Sequence, residues 1–325
     1  MAKTMDDSKK TAKTGGLFHR LRAKIALLVL AALVVFCVVV MIANYRFPQF
    51  FEPEYMAEKP GSAYIDTLVV MGEKMTEHWL PNDLIWPTVF LDNPQNFQLG
   101  QLELMRYSVR VLRDNLSRLR TTDDINVDAN AAFQLFSNDP EKWIWPSAES
   151  KYREAVKKLK SYQTALLSDQ ASFYPRADNL TQLLEQYISL LGGVNTRLSN
   201  APRRKGRVLS EETAGDQYSE GEKMVAVRVP WTKIDDNFYY AQGVAYGLRQ
   251  NMVAVKYDFK HILETKRATE LVDRIINVLD ESQFEPLMVM NGKRGSIWAN
   301  HSLQLQSLLE DARQKMSSLA EMISK

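Results

Sequence analysis

From Ile25 to Ala43 the chain carries no charged residue, only Leu, Val, Ile, Ala, Phe, Met and the lone Cys37. At about 1.5 Å of rise per residue, such a run crosses a hydrocarbon layer of roughly 30 Å as one helix, with Ile25, Leu30, Val35, Val40 and Ala43 spaced along it. A buried core helix is usually shorter and keeps a polar stripe. A cleaved signal peptide fits poorly too: its apolar stretch runs to about 7–15 residues, and Asn44-Tyr45-Arg46-Phe47-Pro48 offers no small-x-small cleavage site. The expectation is an uncleaved signal anchor. Cys37 follows Val34, Val35 and Phe36 rather than the small residues that lipoprotein processing needs, and is expected to face lipid.

The flanks orient that helix. Lys3, Lys9, Lys10, Lys13, Arg20, Arg22 and Lys24 precede it against Asp6 and Asp7, whereas Arg46 alone follows it closely, before Glu52 and Glu54. Positive charge stays inside, so residues 1–24 are expected to be a cytoplasmic tail, 25–43 a helix in the bacterial inner membrane, and the remainder periplasmic. Removing the tail's seven basic and two acidic residues from totals of 41 and 39 leaves 34 and 37. A domain with that near-neutral balance is no basic nucleic-acid binder, and no nucleic-acid partner is expected. With no cysteine beyond Cys37 the outer domain can form no disulfide, and core burial alone must hold it.

Residues 44–61 contain Pro48, Pro53 and Pro60 among aromatic and charged side chains, which reads as an extended stalk whose Tyr45, Phe47, Phe50 and Phe51 mark the membrane interface. Residues 62–325 then show helical periodicity in segment after segment: Ser62 to Leu80, Phe97 to Leu119, a short piece at Ala129 to Phe136, one beginning at the cap Ser147, Leu180 to Leu198, Lys233 to Tyr257, Asp258 to Leu279 and Trp298 to Ile323. Gly192 and Gly193 mark a place where the fifth of these can kink. Residues 201–228 are polar without periodicity and are expected to be a mobile loop. No alternating run exceeds Val225 to Val229, so the class is all-α, with about seven helices after the membrane helix. Pro87 to Asn93 and Pro286 to Gly292 each pass through an apolar stretch and a turn into a long helix, which points to a duplicated helix–loop–helix unit.

No residues stand at metal-ligand spacing: His19, His78, His261 and His301 are isolated in sequence, and neither metal nor cofactor is expected. Asn300 and His301 open a helix whose N-terminal amides suit a cap or an anion. Asp235 and Asp236 also start a helix, where neighbouring carboxylates diverge by about 100° and complement the macrodipole rather than converging on one substrate. Gly292 to Gly295, with Lys293 and Arg294, lacks the strand and the following Lys-Ser/Thr of a phosphate loop and reads as a surface turn. Ile85-Trp86-Pro87-Thr88 and Ile144-Trp145-Pro146-Ser147 set large flat side chains in loops, where they can line a groove or cap the core.

Five stretches occur in order along most of the chain: Phe90-Leu91-Asp92-Asn93; Trp145-Pro146-Ser147 with Glu149-Ser150 and Tyr152-Arg153; Phe173-Tyr174-Pro175-Arg176-Ala177-Asp178-Asn179-Leu180; Pro230-Trp231-Thr232-Lys233-Ile234-Asp235-Asp236 with Phe238-Tyr239; and Asn291-Gly292 with Ala299-Asn300-His301-Ser302-Leu303. Together with the anchor they resemble the uncharacterised bacterial envelope family catalogued as domain of unknown function 2333. Pro175 and the basic Lys293-Arg294 depart from its pattern. The resemblance implies architecture and location, and carries over no reaction and no catalytic residue.

The resulting expectation is a membrane-anchored envelope binding or scaffolding protein without catalytic activity, whose partners are the lipid bilayer and an envelope protein. Its candidate surface comprises Trp86, Trp145, Asp235, Asp236, Tyr239, Asn300 and His301. The alternatives are an envelope hydrolase using Asp235, Asp236 and His301, which requires those side chains to converge, and a periplasmic sensor input domain acting through a partner.

Overall fold

The computed structural model describes residues 4–53, 59–83, 87–88, 91–120, 122–199, 204–207, 224–227, 233–286, 289–290 and 300–325, with side chains from residue 22 onward except in 204–207 and 224–227. The class is all-α, as the periodicity requires. The first helix, α1 (Thr4–Asn44), contains one stretch, Arg22–Asn44, long and apolar enough to cross a membrane. Ile25, Leu30, Val35 and Ala43 are exposed along it and Val40 is half-buried. Water would not tolerate that run of bare apolar surface, whereas lipid would. Cys37, expected to face lipid, is instead 4% exposed, so protein atoms cover it.

The chain from Phe47 to Asp83 and from Asp92 to Lys325 forms the second unit. Its helices are α2 (Ser62–Glu77), α3 (Asp92–Val111), continued by a π-helical turn at Leu112–Leu116, α4 (Val127–Phe136), α5 (Ala148–Leu167), α6 (Ala177–Ser199), α7 (Ile234–Asp258), α8 (Lys260–Thr265), α9 (Thr269–Glu281) and α10 (His301–Ser324). Caps set several of the starts: Asn126 Oδ1 accepts from the amides of Asp128 and Ala129, Ser147 Oγ from Ser150, and Asn300 Oδ1 from Leu303. The single helix expected from Asp258 to Leu279 is two, because Arg267 adopts φ 53°, a left-handed conformation that ends α8 before α9 begins. α6 runs unbroken through Gly192 and Gly193. Within 201–228, Arg204–Arg207 (β1) pairs antiparallel with Met224–Val227 (β2), Gly206 opposite Val225.

α7 is the axis of the core. Sixteen of its 25 residues are buried, on every side, by α2, α3, α6, α9 and α10. Together with α7, seven of the other helices form two sets of four. α2 packs on α5 as α6 packs on α10; α4 lies on α5 as α9 lies on α10; α3 meets α4 as α7 meets α9; and α2 crosses to α7 as α6 crosses to α3.

The sequences follow the same division. A constant offset of 143 residues (235 less 92, 279 less 136) pairs Asp92 with Asp235, Gly100 with Gly243, Arg106 with Arg249, and the buried Ala129, Ala132 and Phe136 with the buried Val272, Ile275 and Leu279. α3 and α7 run parallel with Gly100 and Gly243 at their closest approach: a Cβ on Gly100 would strike the Tyr240 carbonyl oxygen, and one on Gly243 would strike that of Phe97, the residue paired with Tyr240. Contacts reciprocal in this way mark a two-fold axis, here lying between α3 and α7. The arginines repeat their placement, each reaching the end of the neighbouring short helix, with different partners. Arg106 donates to the carbonyls of Phe136 (2.8 Å) and Asn138 (2.7 Å) at the end of α4, and Arg249 pairs with Asp280 (2.8 Å) at the end of α9. The similarity anticipated between 87–93 and 286–292 includes residues 89–90, 287–288 and 291–292, which lie outside those described; the repeat that is visible pairs 92–138 with 235–281.

Residues 47–51, expected to be part of an extended stalk with interfacial aromatics, form a strap along α7. Phe47 stacks on Tyr239 (5.5 Å between ring centroids) and meets Phe97 edge-on (5.1 Å). Further along, the Tyr246 hydroxyl donates to the Gln49 carbonyl, Phe50 stacks on Tyr246, and the Gln250 amide donates to the Phe51 carbonyl. The physical reason is burial: these rings find apolar partners on α3 and α7. The chain thus enters this unit beside the N-termini of α3 and α7, here called the entry end.

Candidate functional site

The candidate residues separate into those spent on structure and those left at the surface. Trp86 lies outside the described residues, as do the expected turn at 292–295 and Ala299. Tyr239 is no surface residue: at 4% exposure it is walled in by Phe47 and by Phe238, whose ring stands edge-on at 5.3 Å. Asn300 is the cap of α10. His301 Nδ1 accepts the Met290 amide at 3.0 Å, and its ring lies 6.3 Å from that of Phe284. That hydrogen bond leaves the proton of a neutral imidazole on Nε2.

Asp235 and Asp236 occupy the first turn of α7, and the repeat brings Asp92, in the first turn of α3, close to both. Burial, with the Asp92 charge adding to it, raises Asp235 above the ordinary carboxylate range; burial and then the charges of Asp235 and Asp92 raise Asp236. The positive ends of two parallel helices face these carboxylates and offset part of that cost. Asp92, Asp235 and Asp236 thus act on one another through their charges, while contacts tie His301 to Met290 and Phe284. Among the described residues no group of three His, Cys, Asp or Glu could hold a metal ion.

Two surface features remain. Trp143, Ile144 and Trp145 stand 58%, 63% and 87% exposed in the loop between α4 and α5. At the opposite end of the helices an open cavity of about 1130 Å³ lies among Asp114, Arg118, Arg120, Arg176, Asp178 and Gln182. Arg176 forms a two-pronged pair with Asp178 (3.0 and 2.9 Å), and Arg118 donates to the Asp114 carbonyl (3.1 and 2.7 Å). Sequence reasoning missed this cavity. Its residues come from three separate segments, none of which carries a motif, and only the density of arginine around the polar loop at 118–124 hinted at it.

Comparison with known proteins yields one match: residues 19–325 fit the sequence profile of the family described as "Uncharacterized protein conserved in bacteria (DUF2333)". The chain belongs to this family. No curated protein and no solved structure matches it. The match covers the apolar stretch of α1 and all of the helical unit, so membership in DUF2333 takes in both parts of the chain, including the paired aspartates, the exposed tryptophan loop and the arginine-lined cavity.

Proposed function

We propose that this member of DUF2333 is an anchored binding or scaffolding protein of the bacterial envelope that catalyses no reaction. In this reading the basic tail lies in the cytoplasm, α1 crosses the inner membrane, and the helical unit stands in the periplasm. The observation that carries it is the employment of the polar candidates: Asn300 caps a helix, His301 fastens a loop, and the aspartates sit at helix starts, while the large cavity remains open. Seven basic residues before the apolar run Ile25 to Ala43, with one following closely, support the orientation. α3 spans 20 residues, about 30 Å, so the cavity lies roughly that far from the entry end, where a soluble envelope partner can reach it.

The hydrolase reading has one observation in its favour, the raised carboxylates of Asp235 and Asp236. Photocrosslinking in living cells separates the two. With the crosslinker at Gln182, on the cavity rim, the anchored chain is expected to capture one reproducible periplasmic protein, and Asp235→Asn with Asp236→Asn is expected to leave that capture unchanged. Capture of cytoplasmic proteins would overturn the orientation. Loss of a physiological function in the double asparagine variant, with folding and capture intact, would favour hydrolysis.

A further inference from the structure

The chain enters the helical unit at Phe47, and α1 ends at Asn44. Three residues of extended chain reach at most about 10 Å, so the entry end is tethered within that distance of the end of the membrane helix. The loop bearing Trp143, Ile144 and Trp145 belongs to this same end. Asn82 Nδ2 donates to the Lys142 carbonyl at 3.2 Å, and Trp79 Nε1 donates to the Pro140 carbonyl at 3.0 Å. The Gln98 side chain binds both the His78 carbonyl and the Leu80 amide, and its neighbour Phe97 is the residue against which Phe47 packs.

The loop is also held from inside, since the Ala148 amide donates to the Lys142 carbonyl at 2.8 Å. Three large apolar side chains are therefore presented outward from an anchored base instead of folding back onto the core. Exposed apolar residues scattered singly are ordinary on a protein surface, but a contiguous run marks an interaction site. Tryptophan combines a large apolar face with one N–H donor, which suits the boundary between acyl chains and headgroups.

We propose that the Trp143-Ile144-Trp145 loop seats in the headgroup region of the bilayer that holds α1, giving the helical unit a second, peripheral contact with the membrane. The tether keeps that bilayer within reach of this end at all times, which favours lipid over a protein partner as the occupant. The repeat supplies a second copy of the motif in sequence: Ile297-Trp298 precedes the cap Asn300 as Ile144-Trp145 precedes the cap Ser147, at an offset of 153 residues (300 less 147). The inference rests on the anchored reading above only in requiring that α1 spans a bilayer.

The test uses the full chain carrying Cys37→Ser and Ile144→Cys, labelled with an environment-sensitive fluorophore and reconstituted in phosphatidylcholine and phosphatidylglycerol vesicles. Gln182→Cys serves as the control on the cavity rim. Co-flotation with vesicles reports on the anchor, and unchanged circular dichroism reports on folding. The label at 144 is expected to shift to the blue, to lose most of its emission to a nitroxide quencher placed in the lipid, and to escape iodide supplied on both sides; the label at 182 is expected to do the reverse. Iodide quenching at 144 as strong as at 182, in protein that floats with the vesicles, overturns the proposal while leaving the anchor intact. Shielding of position 144 in native membranes but not in pure lipid vesicles also overturns it, in favour of a protein partner. Failure to float would count against the anchored reading itself.

Discussion

The Asp258 carboxylate accepts the backbone N–H of Tyr64 at 2.7 Å, so the last turn of α7 closes the first turn of α2. Desolvation nonetheless outweighs that bond and those from the Gly61 and Ala63 amides, and raises Asp258 to about 7. An acid whose folded pKa exceeds its unfolded value favours folding when protonated. Its contribution is therefore full below about pH 4 and lost as pH rises to about 7. The residue retains part of its surface, which holds the effect to about 2 kcal/mol. Thermal melts between pH 5 and 8.5 should show the parent losing more stability on alkalinisation than Asp258→Asn does; parallel curves would refute the assignment. At the paired position in the other repeat, 115, the residue is already Asn.

Gly100→Ala and Gly243→Ala each drive a methyl into the backbone of the facing helix. α3 and α7 have to separate to accept either, at a cost of about 3 kcal/mol or more. Gly192 and Gly193, by contrast, have open space where a Cβ would stand. Changing either to Ala within α6 should stabilise the protein by about 0.5–1 kcal/mol. Chemical denaturation of the four variants checks both signs.

Arg249 joins three segments: its Nε pairs with Asp280, its Nη1 donates to Gln250, and its guanidinium lies 4.3 Å from the centre of the Phe50 ring. Arg249→Ala should cost about 2 kcal/mol and loosen the strap. Hydrogen exchange of residues 47–52 is expected to accelerate in this variant and to stay unchanged in Arg106→Ala, because Arg106 spends its guanidinium on the Phe136 and Asn138 carbonyls at the end of α4.

Ser108 sits at the centre of a buried polar group. Its hydroxyl bonds the Tyr187 hydroxyl at 2.9 Å and accepts from Asn251 Nδ2 at 3.1 Å, and its carbonyl accepts from Tyr64 at 3.2 Å. Burial pushes Tyr187 up to about 12, so both phenols stay neutral. Ser108→Ala removes one hydroxyl and strips partners from two fully buried groups, a loss of about 2 kcal/mol. The melting temperature should fall, with no change in the capture of a partner at Gln182.

Much of the architecture was legible in the chain. The apolar run from Ile25 to Ala43 is one helix long and apolar enough to cross a membrane, and the stripes on α3, α5 and α6 follow one-sided burial, which periodicity reports directly. Ser147 was readable as a cap because a hydroxyl before a periodic segment has a local job. The helix break at Arg267 was not readable: neither Gly nor Pro stands there, and the left-handed turn is closed by the Ala268 amide donating to the Leu263 carbonyl at 2.7 Å. Phe47, Phe50 and Phe51 looked like interfacial aromatics because composition cannot distinguish a ring facing lipid from one facing another ring.

By itself the sequence determined one long apolar helix near the N-terminus, the all-α class and the positions of most helices, because hydrophobic spacing and caps act over a few residues. Only the tertiary structure decided that Gly100 and Gly243 face each other, that the Asp92 charge acts on Asp235, that Tyr239 is buried, and that Trp143 to Trp145 stand exposed on a loop braced by Trp79 and Asn82. Those relations join residues far apart in the chain. They are set by how whole helices pack around a two-fold axis, and no local rule of the backbone encodes them.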